Sequence, residues 1–228
     1  MLILGIDTAT VIGSVGLVRD GEPVGEEFCR AASNHTETLF PLVTTVLAQA
    51  QVSLGEVEGI GVSIGPGSFT GLRIALSAVK GFSYALGHQV VGISTLEALA
   101  RTVTDWEGLI CPLLDARKRE VYAALFRCDQ NSRLERLTPD LALLPQMLLE
   151  RITEPCLFLG DGAEFYGELI EGRCGSDARL LPFATYHPRG AVVAMMAWER
   201  LCRGEHDDLD TLMPCYVRSP EAELKRQE

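Results

Sequence analysis

The 228 residues contain no CxxC pair, no HExxH and no glycine-rich loop ending in Gly-Lys-Ser or Gly-Lys-Thr. A thiolate zinc site, a helix-borne zinc protease site and an ordinary P-loop are thereby left without sequence support. No apolar run approaches the roughly 18 residues of a membrane span. The N-terminus enters a strand-like run at once (Leu2 to Ile6), without the basic start and cleavage site of a signal peptide, so the cytoplasm is the expected compartment. Basic residues are also scarce: Lys and Arg number 20 against 31 acids, a net charge of −11. Direct, unaided nucleic-acid binding is not expected of such a surface. Its densest cationic stretch, Arg117-Lys118-Arg119, is followed immediately by Glu120. The seven cysteines are odd in number and scattered, which argues against a disulfide framework and favours buried, inert thiols.

What is present is an ordinary globular composition, 47% hydrophobic and 22% charged. Strand-like runs at Leu2–Ile6, Gly13–Val18 and Pro23–Cys29 precede a helix from an Asn34 cap, with Glu37 at the capping-box position, to about Gln51. A strand (Gly59–Ile64), a helix to about Leu86, a strand ending at Ser94 and a helix from Thr95 to about Val103 follow. After a polar interruption, Leu109–Leu114 and Glu120–Phe126 read as strands, Leu143–Ile152 as a helix, Cys156–Leu159 as a buried strand and Ala191–Cys202 as a helix. The order predicts an α/β fold with mixed sheets in two lobes, 1–105 and 106–228, the last helix being able to pack back on the first lobe.

The most informative stretch is Ser63-Ile64-Gly65-Pro66-Gly67-Ser68-Phe69-Thr70-Gly71-Leu72-Arg73, a glycine-rich turn from strand to helix. Such a turn aims backbone N–H groups and a helix dipole at one point, and so can hold an anion. Its glycines are spaced GxGxxxG rather than GxGxxG, and no acid ends the next strand. Asp7 and Thr8 between the first two strands are candidates to face the same phosphate or its metal, with Gly67, Ser68 and Thr70; turn chemistry is the competing reading. His35 stands next to Thr36 and Glu37, but adjacent helical residues do not share a face, and His88, His187 and His206 have no ligand-spaced neighbours.

Two helices are apolar on more than one side. The helix after the glycine turn carries Leu72, Leu76, Val79, Phe82 and Leu86 on one stripe, and Ile74, Ala78, Gly81 and Ala85 on a second, small-residue stripe. The preceding helix shows Leu39, Val43, Val46 and Ala50 beside Phe40 and Leu47. One side covers a sheet. The other needs either the second lobe or a partner helix, and Leu39, Val43, Val46, Ala50, Ile74, Ala78, Gly81 and Ala85 are the candidate interface.

With these residues in view the chain resembles the TsaB family over nearly its whole length. The resemblance rests on Asp7-Thr8-Ala9-Thr10, Gly65 to Arg73, Ser94-Thr95-Leu96-Glu97-Ala98-Leu99, Asp115-Ala116-Arg117 with Glu120-Val121-Tyr122, Gly160-Asp161-Gly162-Ala163 and Pro214-Cys215-Tyr216-Val217-Arg218. It implies an actin/Hsp70/sugar-kinase-like (ribonuclease H-like) fold. It also implies a non-catalytic role in transferring a threonylcarbamoyl group to the adenosine next to the anticodon of tRNAs that read codons beginning with A. A TsaD-like paralogue would be the catalytic, heterodimeric partner through the first two N-lobe helices. A TsaE-like ATPase would dock on the pair, and tRNA would be met only within the complex. In the paralogue two histidines four apart hold a metal; Thr95 and Leu99 occupy the matching positions here, so no metal and no catalytic residue is expected. No cofactor is required on this reading, weak ATP or ADP binding being left open, as is self-pairing of the isolated chain. The alternative from the enzyme class is an ATP-dependent phosphotransferase or hydrolase of the same fold, using Asp7 for metal and the Gly67–Thr70 turn for phosphate. A metallopeptidase finds no ligand set.

Overall fold

The computed structural model describes residues 1–30, 35–130 and 133–217. In chain order the elements are β1 (Leu2–Asp7), β2 (Ile12–Arg19), β3 (Glu22–Arg30), α1 (Thr36–Gln49), β4 (Gly59–Gly65), α2 (Phe69–Leu86), β5 (Gln89–Ser94) and α3 (Thr95–Ala100). There follow β6 (Gly108–Asp115), β7 (Val121–Ala123), β8 (Phe126–Cys128), β9 (Leu134–Arg136), β10 (Leu141–Leu143), α4 (Pro145–Leu149), β11 (Cys156–Leu159), α5 (Asp161–Phe165), α6 (Gly167–Cys174), β12 (Ala178–Leu180) and α7 (Gly190–Cys202). No helix among the described residues is long and apolar enough to cross a membrane.

Two compact units result, one from Met1–Thr102 with His187–Pro214, the other from Val103–Tyr186 with Cys215–Glu228. His187–Pro214, with α7, belongs to the first unit, the packing-back that the sequence left open for the last helix: α7 buries Val193, Ala194 and Ala197 against Ile3, Val18, Val91 and Ile93.

The first unit is a five-stranded mixed sheet, β3-β2-β1-β4-β5. β1 runs antiparallel to β2 and parallel to β4, and β4 is parallel to β5. Asp20 and Gly21 at positive φ close the β2–β3 hairpin. Period-two alternation then sends Leu4, Ile6, Val15, Leu17, Ile60 and Val62 to the face covered by α1 and α2.

The opposite face is nearly flat where α7 crosses it. Gly16, Gly5 and Gly61 stand in register on three adjacent strands. A Cβ on Gly5 would lie 2.0 Å from the Gly190 carbonyl oxygen, and one on Gly16 2.1 Å from the Ala191 nitrogen. The helix backbone rests on the sheet backbone, a contact only glycine allows. Its first N–H groups are satisfied by the sheet: Gly190 N–H donates to Ser14 Oγ at 2.9 Å and Ala191 N–H to a Glu26 carboxylate oxygen at 2.9 Å.

The second unit holds a seven-stranded sheet with the path β10-β7-β6-β11-β12, plus β8 on β6 and β9 on β8. The expected Glu120–Phe126 strand is two strands, β7 and β8, because each pairs with a different stretch of β6. The expected Leu143–Ile152 helix is β10 followed by the short α4, whose start is set by Pro145 at its first turn. The helix after β5 ends at Ala100, before Val103. Asn34, expected to cap α1, lies outside the described residues; the helix begins at Thr36, and the His35 side chain makes no capping bond.

The glycine row yields the first prediction. Gly5→Ala destabilises the protein by about 3 kcal/mol or more, since neither backbone can give way without undocking α7. Urea unfolding of the variant beside the parent checks it.

Candidate functional site

The glycine turn is closed by local capping. Ser68 caps α2 by accepting the Gly71 N–H at 3.2 Å, and Gly87 at φ 78° ends the helix. The turn also clasps the Asp7–Thr10 loop. Ser68 N–H donates to the Ala9 carbonyl at 2.7 Å, and the Thr8 hydroxyl donates to the Gly71 carbonyl at 2.7 Å. A Cβ on Gly71 would lie 1.9 Å from the Thr8 carbonyl oxygen, and one on Gly67 2.5 Å from that of Ala9. The Ser68 N–H, the Ser68 hydroxyl oxygen and the Thr8 hydroxyl, which were candidates to face a phosphate, thus bond to the chain itself.

The five candidates differ in burial: Asp7 and Thr8 are buried, Gly67 is half-buried, and Ser68 and Thr70 are exposed. One Asp7 oxygen accepts the Ala9 N–H at 3.0 Å; the other has no partner among the described residues. Burial pushes the Asp7 carboxyl up to about 6, the neighbouring Ser63 hydroxyl and the Ala9 N–H pulling the other way. Ser63 Oγ, inside β4 and beside the Asp7 carboxyl, and Thr95 Oγ1, directly after β5, are buried as well, and neither reaches a partner at hydrogen-bond geometry among the described residues. The expectation that the chain holds no GxSxG is wrong: Gly61-Val62-Ser63-Ile64-Gly65 spells it. Ser63 lies inside β4 and is buried, not on the exposed strand-to-helix turn that a serine nucleophile requires.

The histidines are structural as well. His35 Nε2 meets the Thr10 carbonyl at 2.7 Å and His88 Nε2 that of Leu54 at 3.1 Å. His187 stacks its ring 4.8 Å from Phe28. Thr95 and Leu99 are both fully buried, and the described residues contain no group of three metal-ligating side chains.

The open feature of the first unit lies between α1 and α2. A groove of about 470 Å³ is lined by Phe40 from α1 and by Phe69, Arg73, Ile74, Ser77 and Ala78 from α2. The Arg73 guanidinium sits 4.0 Å over the Phe69 ring, and Phe40 meets Phe82 edge-on at 5.9 Å. Phe40 remains half exposed, as do Phe69 and Leu86. Ile74 and Ala78 are half-buried, while Gly81 and Ala85 are exposed.

The α1 half of the expected interface needs correction. Leu39, Val43 and Val46 are buried against the chain's own sheet, and Ala50 packs against the same core. They occupy the i, i+4, i+7 side that any sheet-covering helix buries. The outward side of α1 is instead Phe40, Pro41, Thr44 and Ala48. An aromatic at Phe40, out of phase with the buried stripe, was the signal available for this.

In the second unit, two separate sequence motifs meet. Asp161 Oδ1 accepts the Asp115 N–H at 3.0 Å, and a Cβ on Gly162 would lie 2.9 Å from the Leu114 carbonyl carbon. Burial raises the Asp161 carboxyl, and the Asp115 charge adds to the rise.

Comparison with known proteins adds the following. A family described as TsaD, tRNA N6-adenosine threonylcarbamoyltransferase, matches residues 29–226. The tRNA threonylcarbamoyladenosine biosynthesis protein TsaB of Bacillus subtilis (strain 168) is 32% identical over 228 residues, 99% of this chain and 97% of that protein. A crystal structure of an uncharacterized Pseudomonas aeruginosa protein, described by similarity to the peptidase YeaZ, matches with a TM-score of 0.81 at 27% identity, over 95% of this chain and 99% of that one. The activator of the 2-hydroxyisocaproyl-CoA dehydratase from Clostridium difficile, solved with bound ADPNP, matches at a TM-score of 0.54 and 10% identity, over 91% and 99% of the two chains. The fold is thus the mixed-sheet α/β fold of the actin/Hsp70/sugar-kinase type.

The buried carboxyl sets a pH dependence. Because the folded Asp7 holds its proton up to about 6, against 3.8 unfolded, stability falls as pH rises through that window. The difference is on the order of 3 kcal/mol. Asp7→Asn, which keeps an acceptor for Ala9, is expected to raise stability at pH 7 and flatten this slope; denaturant unfolding at pH 4, 5, 6 and 7 measures both.

Proposed function

The chain belongs to the TsaB family and takes part in tRNA threonylcarbamoyladenosine biosynthesis, and from this we propose that it acts as a non-catalytic subunit that heterodimerises with a TsaD-like paralogue. The observation that carries the proposal is the groove between α1 and α2, where Phe40 and Phe69 stand about half exposed and Ile74 and Ala78, packed on the core from one side, are only half-buried. Apolar surface of this kind marks protein contact sites.

Gly81 strengthens the reading. It sits in the middle of α2, exposed, and a Cβ there would meet nothing within 4 Å. A mid-helix glycine costs roughly 1 kcal/mol relative to alanine. The chain gains nothing internally from it, whereas a helix of another protein could approach closely at that point. The paralogue supplies metal and catalysis; this chain supports it, needs no cofactor of its own, and the TsaE-like ATPase docks on the pair. In isolation the same face can pair two copies of the chain. Asp7, sealed under the glycine turn, takes no part in chemistry. Weak ATP or ADP binding is a separate property, measured by calorimetry, and tight binding with turnover lost in Asp7→Ala would favour a phosphotransferase instead.

Gly81→Ala is expected to raise the unfolding free energy by about 0.5–1 kcal/mol. Ala78→Arg with Gly81→Glu is expected to leave the fold intact, abolish co-purification with the TsaD-like protein and lower the modified nucleoside in bulk tRNA. Unchanged association and unchanged nucleoside level in that double variant would end the heterodimer reading.

A further inference from the structure

The motifs Asp115-Ala116-Arg117 and Gly160-Asp161-Gly162-Ala163 are not used by the heterodimer face, yet the second unit brings them together at the ends of β6 and β11. Between β6 and β7 the chain turns through Arg117, Lys118 and Arg119 at φ 63°, 53° and 65°. Three consecutive residues with side chains in the left-handed region carry a steric penalty that glycine or asparagine would relieve. Here they are instead the only run of three cations in the sequence, and all three are exposed. Ala116 N–H to the Glu120 carbonyl at 3.1 Å and Glu120 N–H to that of Arg117 at 3.0 Å close the turn. Asp115 accepts the Arg117 N–H at 2.9 Å and pairs with its guanidinium at 3.5 Å. The turn is therefore fixed from below while its cations face outward.

On α5, whose first residue Asp161 accepts the Asp115 N–H at the foot of the turn, Phe165 is 72% exposed and stands edge-on to Tyr166 with centroids 4.9 Å apart. Arg119 and Asp115 both act electrostatically on the Tyr166 phenol, which burial raises. The acids in the same place are Asp115, Glu120, Asp161 and Glu164; Asp115 is committed to Arg117, and Asp161 to the Asp115 N–H. Outward-facing cations beside an exposed aromatic ring are the means by which proteins hold unpaired RNA: phosphates on the cations, a base stacked on the ring.

We propose that the Arg117–Arg119 turn and Phe165 form an RNA contact, which grips the phosphodiester backbone of the tRNA and stacks one unpaired base. The inference rests on the chain's part in tRNA modification. The net charge of −11 repels RNA elsewhere, so this contact is local and adds to one made by the partner.

The test measures fluorescence anisotropy of labelled, unmodified tRNA with the full chain, alone and with its TsaD-like partner, across a salt series. Size-exclusion chromatography follows the association. Joint Arg117→Gln, Lys118→Gln and Arg119→Gln is expected to weaken tRNA binding about ten-fold or more and lower the slope of log Kd against log salt by about 2. Phe165→Ala is expected to weaken it several-fold with the slope unchanged. Arg119→Gly relieves the left-handed backbone, so it should keep or raise the melting temperature while still weakening tRNA binding; this separates a contact from a folding role. Unchanged affinity and slope in the triple variant overturn the proposal, as does a parent protein that binds no tRNA in either state at low salt. Loss of partner association with tRNA affinity unchanged also overturns it, and assigns the turn to an acidic protein surface. A parent that fails to associate, yet loses tRNA binding in these variants, sinks the heterodimer reading and leaves the RNA contact standing.

Discussion

Everything in the first unit depends on one backbone-to-backbone contact, the seat of α7 on the glycine row of β2, β1 and β4. A helix normally packs on a sheet about 10 Å away, across two layers of side chains. Here Gly16, Gly5 and Gly61 remove one layer, and Gly190 removes part of the other. The close approach lets Ser14 and Glu26 reach the first N–H groups of α7. It also brings a chain segment nearly two hundred residues downstream back onto the first strands. Beyond α7 the chain continues to β5, where Gly92 N–H donates to Asp207 at 2.7 Å and Asp207 bridges Val90, covering an open sheet edge.

With one face of the sheet closed by α7, the other face fixes α1 and α2. Their inner sides are used up by Leu39, Val43 and Val46 on α1 and by Leu72, Ala75, Leu76 and Val79 on α2. The clasp of the glycine turn on Thr8 and Ala9 then sets where α2 begins. The groove is what remains outside that arrangement. The turn acts as a positioning device for α2, since the Ser68 N–H bonds to the Ala9 carbonyl and the Thr8 hydroxyl to the Gly71 carbonyl.

Much of this was legible in the sequence. Hydrophobic period and turn residues located the strands of the first sheet, and the second stripe of α2 is in the structure half-buried at Ile74 and Ala78 and exposed at Gly81 and Ala85. The phase of α1 was misread because Leu39, Val43 and Val46 form the strongest stripe, and the strongest stripe is the one a sheet buries. Phe40, standing outside it, marked the free side. The fragments β8, β9 and β12 are three residues each, too short for a period to register. The return of α7 to the first sheet is a long-range contact with no local signature. Its trace lay in isolated glycines between branched apolar residues, as in Leu4-Gly5-Ile6 and Ile60-Gly61-Val62, a pattern that denotes close backbone approach. The outward-facing turn at Arg117 was visible as charge, but its left-handed backbone was not.

The glycines of this chain also separate internal from external demands. Gly5, Gly16, Gly61 and Gly71 each face backbone or side chain closer than a Cβ could tolerate, so the fold explains them. Gly87 and Gly204 take positive φ at helix ends, which explains those. Gly81 has neither reason, a condition it shares with Gly167 and Gly172 of α6. A costly residue that the monomer does not require, placed one turn beyond Ala78 of an exposed apolar groove, is the kind of residue the proposed partner helix would use. The same reasoning covers Arg117–Arg119, where the backbone would be better served by glycine and the side chains point away from the core. In both places the sequence departs from what its own fold prefers, and in both the departure faces solvent. Departures from local consistency of this kind concentrate where a protein meets something other than itself.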